Sequence, residues 1–302
     1  TSGAATLTTS SATSVGPCTA NISGNVTYDG GEPLTMSGIC YATTVNPTIS
    51  NTNIPYNPGY PNFDSLTNFT GNLTGLTPST TYYVRAYTTN CAGTTYGNQI
   101  TFTTTSGVAT LTTASATLVT ACTASLAGAV SFDGGSPLTM SGICYATTIN
   151  PTISNTNVPY NPGYPNFDTL TNFTANLTGL TANTTYYVRA YTTNCAGITY
   201  GSQISFVTLP LAQPVVTTGS MGTVTSTTVA FANNLIAPNS CETPSAYGLC
   251  WNTSPNPTTA NNSTINTTPT ATFNDTVFGL TAGNTYYVRA YATNTAGTDY
   301  GN

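Results

Sequence analysis

Bulky and polar residues alternate through Tyr82–Gly93, which reads YYVRAYTTNCAG. Tyr82, Val84, Ala86 and Thr88 fall on one face, and Tyr83, Arg85 and Tyr87 on the other. This period of two predicts a half-buried β-strand, with Asn90 and Gly93 bracketing a tight turn after it. The stretch returns unchanged at Tyr186–Gly197 and as YYVRAYATNTAG at Tyr286–Gly297.

The same alternation marks the elements around it. AATLTTSSATSV (4–15) predicts a Thr/Val-rich edge strand. TANISGNVTYDGG (19–31) predicts a strand with Ile22, Val26 and Tyr28 on one face, ended by the Asp29-Gly30-Gly31 turn. MSGICYATT (36–44) follows, with Ile39 and Tyr41 on its bulky face. A long connection is expected from Asn46 to about Asn68. FTGNLTGL (69–76) and YGNQITFTT (96–104) flank the central strand. That makes roughly seven short strands per unit, with no helical periodicity, the pattern of a two-sheet antiparallel sandwich.

Repetition then sets the organisation. Three units are expected, at 1–105, 106–209 and 210–302. Residues 38–102 and 142–206 differ at nine of 65 positions, all mildly. The third unit has diverged. Cys250 and Arg289 stand 39 residues apart, against 45 between Cys144 and Arg189. It also stops at Gly301-Asn302, where the first unit continues into Gln99–Thr104. Its central strand is therefore expected to lack one neighbour, an edge that invites another strand. A segment cut from a longer array and a chain completed by a neighbour's strand both fit that expectation. Thr1 in place of Met, with no leader pattern after it, reads as a processed or excised segment. Stacked units of this kind make a rod. The expected fold is all-β: three tandem antiparallel β-sandwiches.

Composition narrows the function classes. Charged residues are 4% of the chain, with eight acids, three Arg, no Lys and no His. Three cations give phosphates almost nothing to bind, so nucleic acid is excluded as a partner. No apolar run approaches the ~20 residues of a membrane-spanning helix, so no membrane insertion is expected. Without His or Lys, proton transfer would fall to carboxylates, Tyr or Cys. The acids lie mostly singly in turns, and the one close pair, Asp29 and Glu32, is not repeated. No enzyme activity, cofactor or metal site is expected; calcium would require clustered carboxylates.

GxC(W/Y)xTxxNPT, then LTGLT, then TYYVRAYxTNxAGxxYG together resemble the tandem fibronectin type III-like repeats of large secreted surface proteins of Bacteroidetes. The third unit is most similar, through Gly248-Leu249-Cys250-Trp251 and Asn256-Pro257-Thr258. The resemblance spans all three units. It implies an Ig-like sandwich in an adhesin, a filament or a spacer attached to a secreted enzyme, on the cell surface or outside it. Asp64-Ser65-Leu66, Asp168-Thr169-Leu170 and Asp275-Thr276-Val277, read as matching positions, look like the O-glycosylation acceptors of such proteins. The bland alternative is an Asp-capped turn.

Other candidate sites come from the residues themselves. The stripe Tyr83, Arg85, Tyr87 offers interface anchors. Equally, Arg85 can lie across neighbouring rings and cover its own sheet, and recurrence in every unit favours that. The Pro-rich loop IPYNPGYPNF (54–63) recurs at 158–167 and is absent from the third unit. Its Tyr56, Tyr60, Phe63, Tyr160, Tyr164 and Phe167 offer rigid apolar area for a lateral contact, or a flap on the sandwich itself.

Eight Cys without CxxC pairs or His indicate an oxidising setting rather than a zinc site. In a sandwich Cys18 and Cys91 lie at opposite ends of strands up to ~33 Å long, too far for a bridge whose Cα atoms stay within ~7 Å. Cys18 is expected to bridge to Cys195 across the junction of the first two units. Cys241 and Cys250 can close a local loop, and Cys40 and Cys144 are expected to be unpaired. The function these features predict is structural: part of an extracellular filament, appendage or adhesin stalk that self-associates head-to-tail or laterally. The alternatives are a module binding glycans or host surfaces, and a passive spacer beside a secreted enzyme.

Overall fold

The computed structural model describes residues 3–56, 68–160, 172–237, 241–268 and 270–302, and among them there is no helix. Repeat 1 contains β1 (Thr6–Thr9), β2 (Ala20–Tyr28), β3 (Met36–Ala42), β4 (Thr52–Tyr56), β5 (Asn68–Leu73), β6 (Thr81–Asn90), β7 (Gly93–Tyr96) and β8 (Ile100–Thr103). One sheet has the order β1-β2-β5. The other runs β4-β3-β6-β7, with β8 also paired to β6. Ile22 and Val26 from the first sheet and Ile39, Val84 and Ala86 from the second share one buried cluster with Phe69 and Leu73. Two antiparallel sheets thus enclose the core of a sandwich.

Repeat 2 contains β9 (Thr110–Thr113), β10 (Ala124–Phe132), β11 (Met140–Ala146), β12 (Thr156–Tyr160), β13 (Asn172–Leu177), β14 (Thr185–Asn194), β15 (Gly197–Tyr200) and β16 (Ile204–Val207), in the same two sheets. Repeat 3 contains β17 (Val215–Thr217), β18 (Ser220–Val224), β19 (Val229–Ala237), β20 (Ala246–Asn252), β21 (Asn262–Ser263), β22 (Thr272–Val277), β23 (Tyr287–Asn294) and β24 (Gly297–Tyr300). β17, β18 and β22 all pair with β19, and the second sheet runs β21-β20-β23-β24. The fold is therefore all-β, with six antiparallel sheets among the described residues.

The chain divides into two compact units. One comprises residues 1–115, 126–175 and 187–204, the other 116–125, 176–186 and 205–302. The first holds all of repeat 1 and most of repeat 2. The second holds repeat 3 with short pieces of repeat 2.

Three local expectations are corrected. The segment after Asn46 is not all connection, because β4 pairs with β3 from Ser37↔Tyr56 to Tyr41↔Thr52. Tyr28 does not share the buried face of Ile22 and Val26. A register shift between Thr6 and Leu7 breaks the ladder there, and the ring is exposed. Tyr87 is not outward but fully buried, at 0% exposure. It pairs with Gly38 on β3, where an added Cβ would lie 2.6 Å from the Tyr87 hydroxyl oxygen and 2.4 Å from the Ile54 carbonyl. The glycine leaves room for the ring, and Gly142–Tyr191 and Gly248–Tyr291 repeat the pair. The Gly-x-Cys motif is thus half of a cross-strand Gly–Tyr pairing.

Candidate functional site

The central strand and its turn carry the residues most faithfully repeated, and the structure commits them to internal contacts. Arg85 Nε donates to the Gly97 carbonyl at 3.0 Å, and its Cζ lies 4.6 Å from the centroid of the Tyr96 ring. Arg189 makes the same contacts with Gly201 and Tyr200, and Arg289 with Gly301 and Tyr300. Each ring's hydroxyl in turn accepts a backbone N–H: from Ile49, Ile153 or Thr259. The arginine therefore ties the turn after β7, β15 or β24 to its sheet. A cation–π contact of this kind contributes about 0.5–1 kcal/mol at a partly exposed site.

The Asn that ends the strand works similarly. Asn90 Nδ2 donates to the carbonyls of Gly3 (2.9 Å) and Asp29 (2.8 Å), while its Oδ1 accepts from Ala92 N. Asn194 bonds the Gly107 and Asp133 carbonyls, and Asn294 that of Ala212. Chain entry and turn are thus pinned to the strand end.

Cys40, Cys144 and Cys250 are buried free thiols. Cys40 Sγ donates to the carbonyls of Pro47 (3.4 Å) and Arg85 (3.3 Å). Cys144 addresses Pro151 and Arg189, and Cys250 addresses Pro257 and Arg289. Asn46, Asn150 and Asn256, just before the prolines, have φ of 57°, 55° and 54°. This left-handed backbone is tolerated by Asn. The thiol therefore sits beneath a sharp Asn-Pro turn. Burial pushes Cys40 and Cys250 up to about 11 and raises Cys144, outweighing the nearby guanidinium, which acts the other way. Such thiols are inert rather than nucleophilic.

Cys18 is joined to Cys195, the expected pair, with Cα atoms 6.3 Å apart. Beside them Gly107, at φ +70°, has no room for a side chain: a Cβ would meet that of Ala196 at 2.4 Å and that of Pro17 at 2.8 Å. Cys241 and Cys250 do not close a loop. Cys241 is joined to Cys122, with Cα atoms 5.4 Å apart, while Cys250 points under its Asn-Pro turn. Cys122 was missed by sequence reasoning. It occupies in repeat 2 the position of Cys18, so extending the first bridge to the next junction would have asked for a partner for it. That partner comes from a different loop. Repeat 3 has Thr295 where repeat 2 has Cys195, and Glu242, next to Cys241, accepts from the Thr295 N–H and hydroxyl. The bridging sulfur is brought to the same corner by another route.

The glycosylation reading loses its argument from recurrence in the third unit. Val277 pairs with Val229, and Leu280 N–H bonds the Thr227 carbonyl. Leu73 pairs with Ala20, and Leu76 N–H bonds the Cys18 carbonyl. Asp275-Thr276-Val277 thus corresponds to Gly71-Asn72-Leu73, not to Asp64-Ser65-Leu66. Asp275 accepts from the Thr264 hydroxyl at 2.5 Å and Asn266 Nδ2 at 3.0 Å, so it organises its own sandwich. Ser65 and Thr169 lie outside the described residues, as do Tyr60, Phe63, Tyr164 and Phe167 of the Pro-rich loops. Tyr56 and Tyr160 are described, and they stack on Phe69 and Phe173 of their own repeats at 5.5 and 5.7 Å.

No protein-family model matches the chain, and no curated protein matches it.

Proposed function

We propose that the chain is a mechanical element, a run of covalently tied β-modules in an extracellular filament, appendage or adhesin stalk. The observation that carries this reading is the pair of disulfides. Cys18 of repeat 1 is joined to Cys195 of repeat 2, and Cys122 of repeat 2 to Cys241 of repeat 3. Each closes a long sequence separation, 177 and 119 residues, and each ties successive repeats rather than one repeat to itself. In the chain-entropy account loops of that length contribute up to ~5 kcal/mol each. Such bridges also fit an oxidising compartment.

The commitment of all three arginines to cation–π contacts, and of three thiols to Asn-Pro turns, supports a structural role over a chemical one. Self-association, head-to-tail or lateral, then gives the array its length. Negative-stain imaging of the native material is the test. Regular fibres or stalks are the expected result, and discrete globular particles would overturn the reading.

A further inference from the structure

A cavity of about 420 Å³ opens in repeat 1 where β3 finishes and β4 begins. Its lining includes Tyr41, Thr43, Asn51, Thr52, Gly75 and Tyr82. The volume falls within the ~300–1,000 Å³ of small-ligand sites. All of these residues belong to the first compact unit, and none lies in the Pro-rich loop 54–63.

Tyr82 is the fixed wall. Its ring stacks on Phe102 at 5.8 Å, and its hydroxyl accepts the Thr77 N–H at 2.9 Å. Tyr41, half-buried, meets it edge to face, with ring centroids 6.0 Å apart and planes at 64°. Two aromatic walls are thus in place before a ligand arrives, which lowers the cost of binding one. The space beside Gly75 is open, since an added Cβ would meet no atom within 4 Å.

Around the rings stand polar groups with capacity to spare. Asn51 Oδ1 accepts the Thr48 N–H at 2.9 Å, and its amide nitrogen keeps both donors. The side-chain hydroxyls of Tyr41, Thr43 and Thr52 make no hydrogen bond to other described residues. No charged residue lines the cavity.

We infer that this cavity binds a neutral sugar, a hexose unit of an oligosaccharide or polysaccharide. A carboxylate or phosphate would find no cation, because Arg85 is committed to Gly97 and Tyr96. A purely apolar ligand would take water from the hydroxyl and amide groups without replacing its bonds, which is unfavourable. A sugar matches both halves of the site. Its hydroxyls donate and accept, as the groups facing them do, and the C–H face of its ring packs on an aromatic wall. The inference concerns this cavity alone and stands whether or not the chain belongs to a filament.

The test is retention of the whole 302-residue protein on an array of immobilised neutral gluco-, manno- and galacto-oligosaccharides, with sialylated glycans alongside. Calorimetric titration with the best-retained glycan follows. The sequence carries the same residue types 104 positions further on, Thr147 and Thr156 among them, so the variant changes both sets. Thr43→Val, Thr52→Val, Thr147→Val and Thr156→Val together remove hydroxyls from exposed positions and preserve side-chain shape. This variant is expected to unfold at the wild-type temperature and to bind at least about ten-fold more weakly, as the loss of two hydrogen bonds per ligand implies. In the unsubstituted protein, amide exchange at residues 41–43 and 51–52 is expected to slow when the glycan is present. Retention of no neutral glycan would overturn the inference. So would a preference for the sialylated glycans, affinity indifferent to the four substitutions, or unchanged exchange at those residues.

Discussion

Residues 82–93 and 186–197 are identical in sequence, yet Cys91 is exposed and free while Cys195 is bridged to Cys18. The strand, the turn and the Asn that closes it are the same in both. The difference lies in what stands opposite the turn. Repeat 2 has the Pro17–Cys18 corner of repeat 1 against it, and Cys91 has no such corner among the described residues. Repeat 3 sharpens the point. It lacks the turn cysteine, and Cys241 reaches Cys122 from another loop. Local sequence builds the corner, and the neighbouring repeat decides whether sulfur chemistry occurs there.

This comparison can be broken most directly by removing the bridge. Cys195→Ser is expected to lower stability by several kcal/mol, up to the ~5 kcal/mol of the chain-entropy account. Cys91→Ser at the matching position is expected to change stability by less than about 0.5 kcal/mol, as for an unengaged surface residue. Chemical denaturation of the two variants checks the contrast, and equal losses would mean that the bridge contributes nothing beyond its local contacts.

Next in size is a substitution that disturbs all copies alike. Gly38→Ala and Gly142→Ala each place a methyl group against a buried tyrosine and a backbone carbonyl. Both should cost about 1–3 kcal/mol by overpacking, read as lower denaturant midpoints. An effect confined to one repeat would break the equivalence drawn between them.

A smaller effect is expected at the arginines. Arg85→Met keeps the apolar stem but loses the bond to Gly97 and the stacking on Tyr96. A loss of about 1–2 kcal/mol follows from one hydrogen bond and one cation–π contact. Arg189→Met should match it, because its partners lie at the same distances.

The smallest effects concern the thiols. In the native protein a small maleimide is expected to label Cys91, leaving Cys40, Cys144 and Cys250 unreacted until unfolding; mass spectrometry of labelled peptides reads this. Cys40 and Cys250 are raised from 9.0 to about 11 in the fold. Between those values the unfolded chain has lost protons that the folded chain keeps. Their contribution to stability is therefore complete below pH 9 and falls away as pH rises towards 11. The stability advantage of the wild type over Cys40→Ala should shrink across that interval.

Much of this architecture was legible in the sequence because strands carry a period of two that burial enforces. Val84, Ala86 and Thr88 sit inside as the alternation required. The spacing of the turns gave the sandwich, and the recurrence gave the number of copies. Tyr87 defeated the alternation because it fills a hole above a glycine on the adjacent strand, and sequence spacing does not say which strands are adjacent. Tyr28 did so through a shift in pairing that leaves no mark in residue type. The matching of Asp275 to Asp64 failed for a related reason. A short motif can be aligned by eye, but its register is fixed by backbone hydrogen bonds.

By itself, then, the sequence determined the all-β class, the repetition and the near absence of groups suited to proton transfer, and it pointed to Cys195 as the partner of Cys18. These follow from local chemistry and from the length of a strand. The tertiary structure alone decided that Cys122 finds Cys241, that the thiols of Cys40, Cys144 and Cys250 lie under Asn-Pro turns, and that Tyr87 fills the space above Gly38. Each depends on which segments meet across a distance, a matter of packing between residues far apart in the chain that no short window of sequence records.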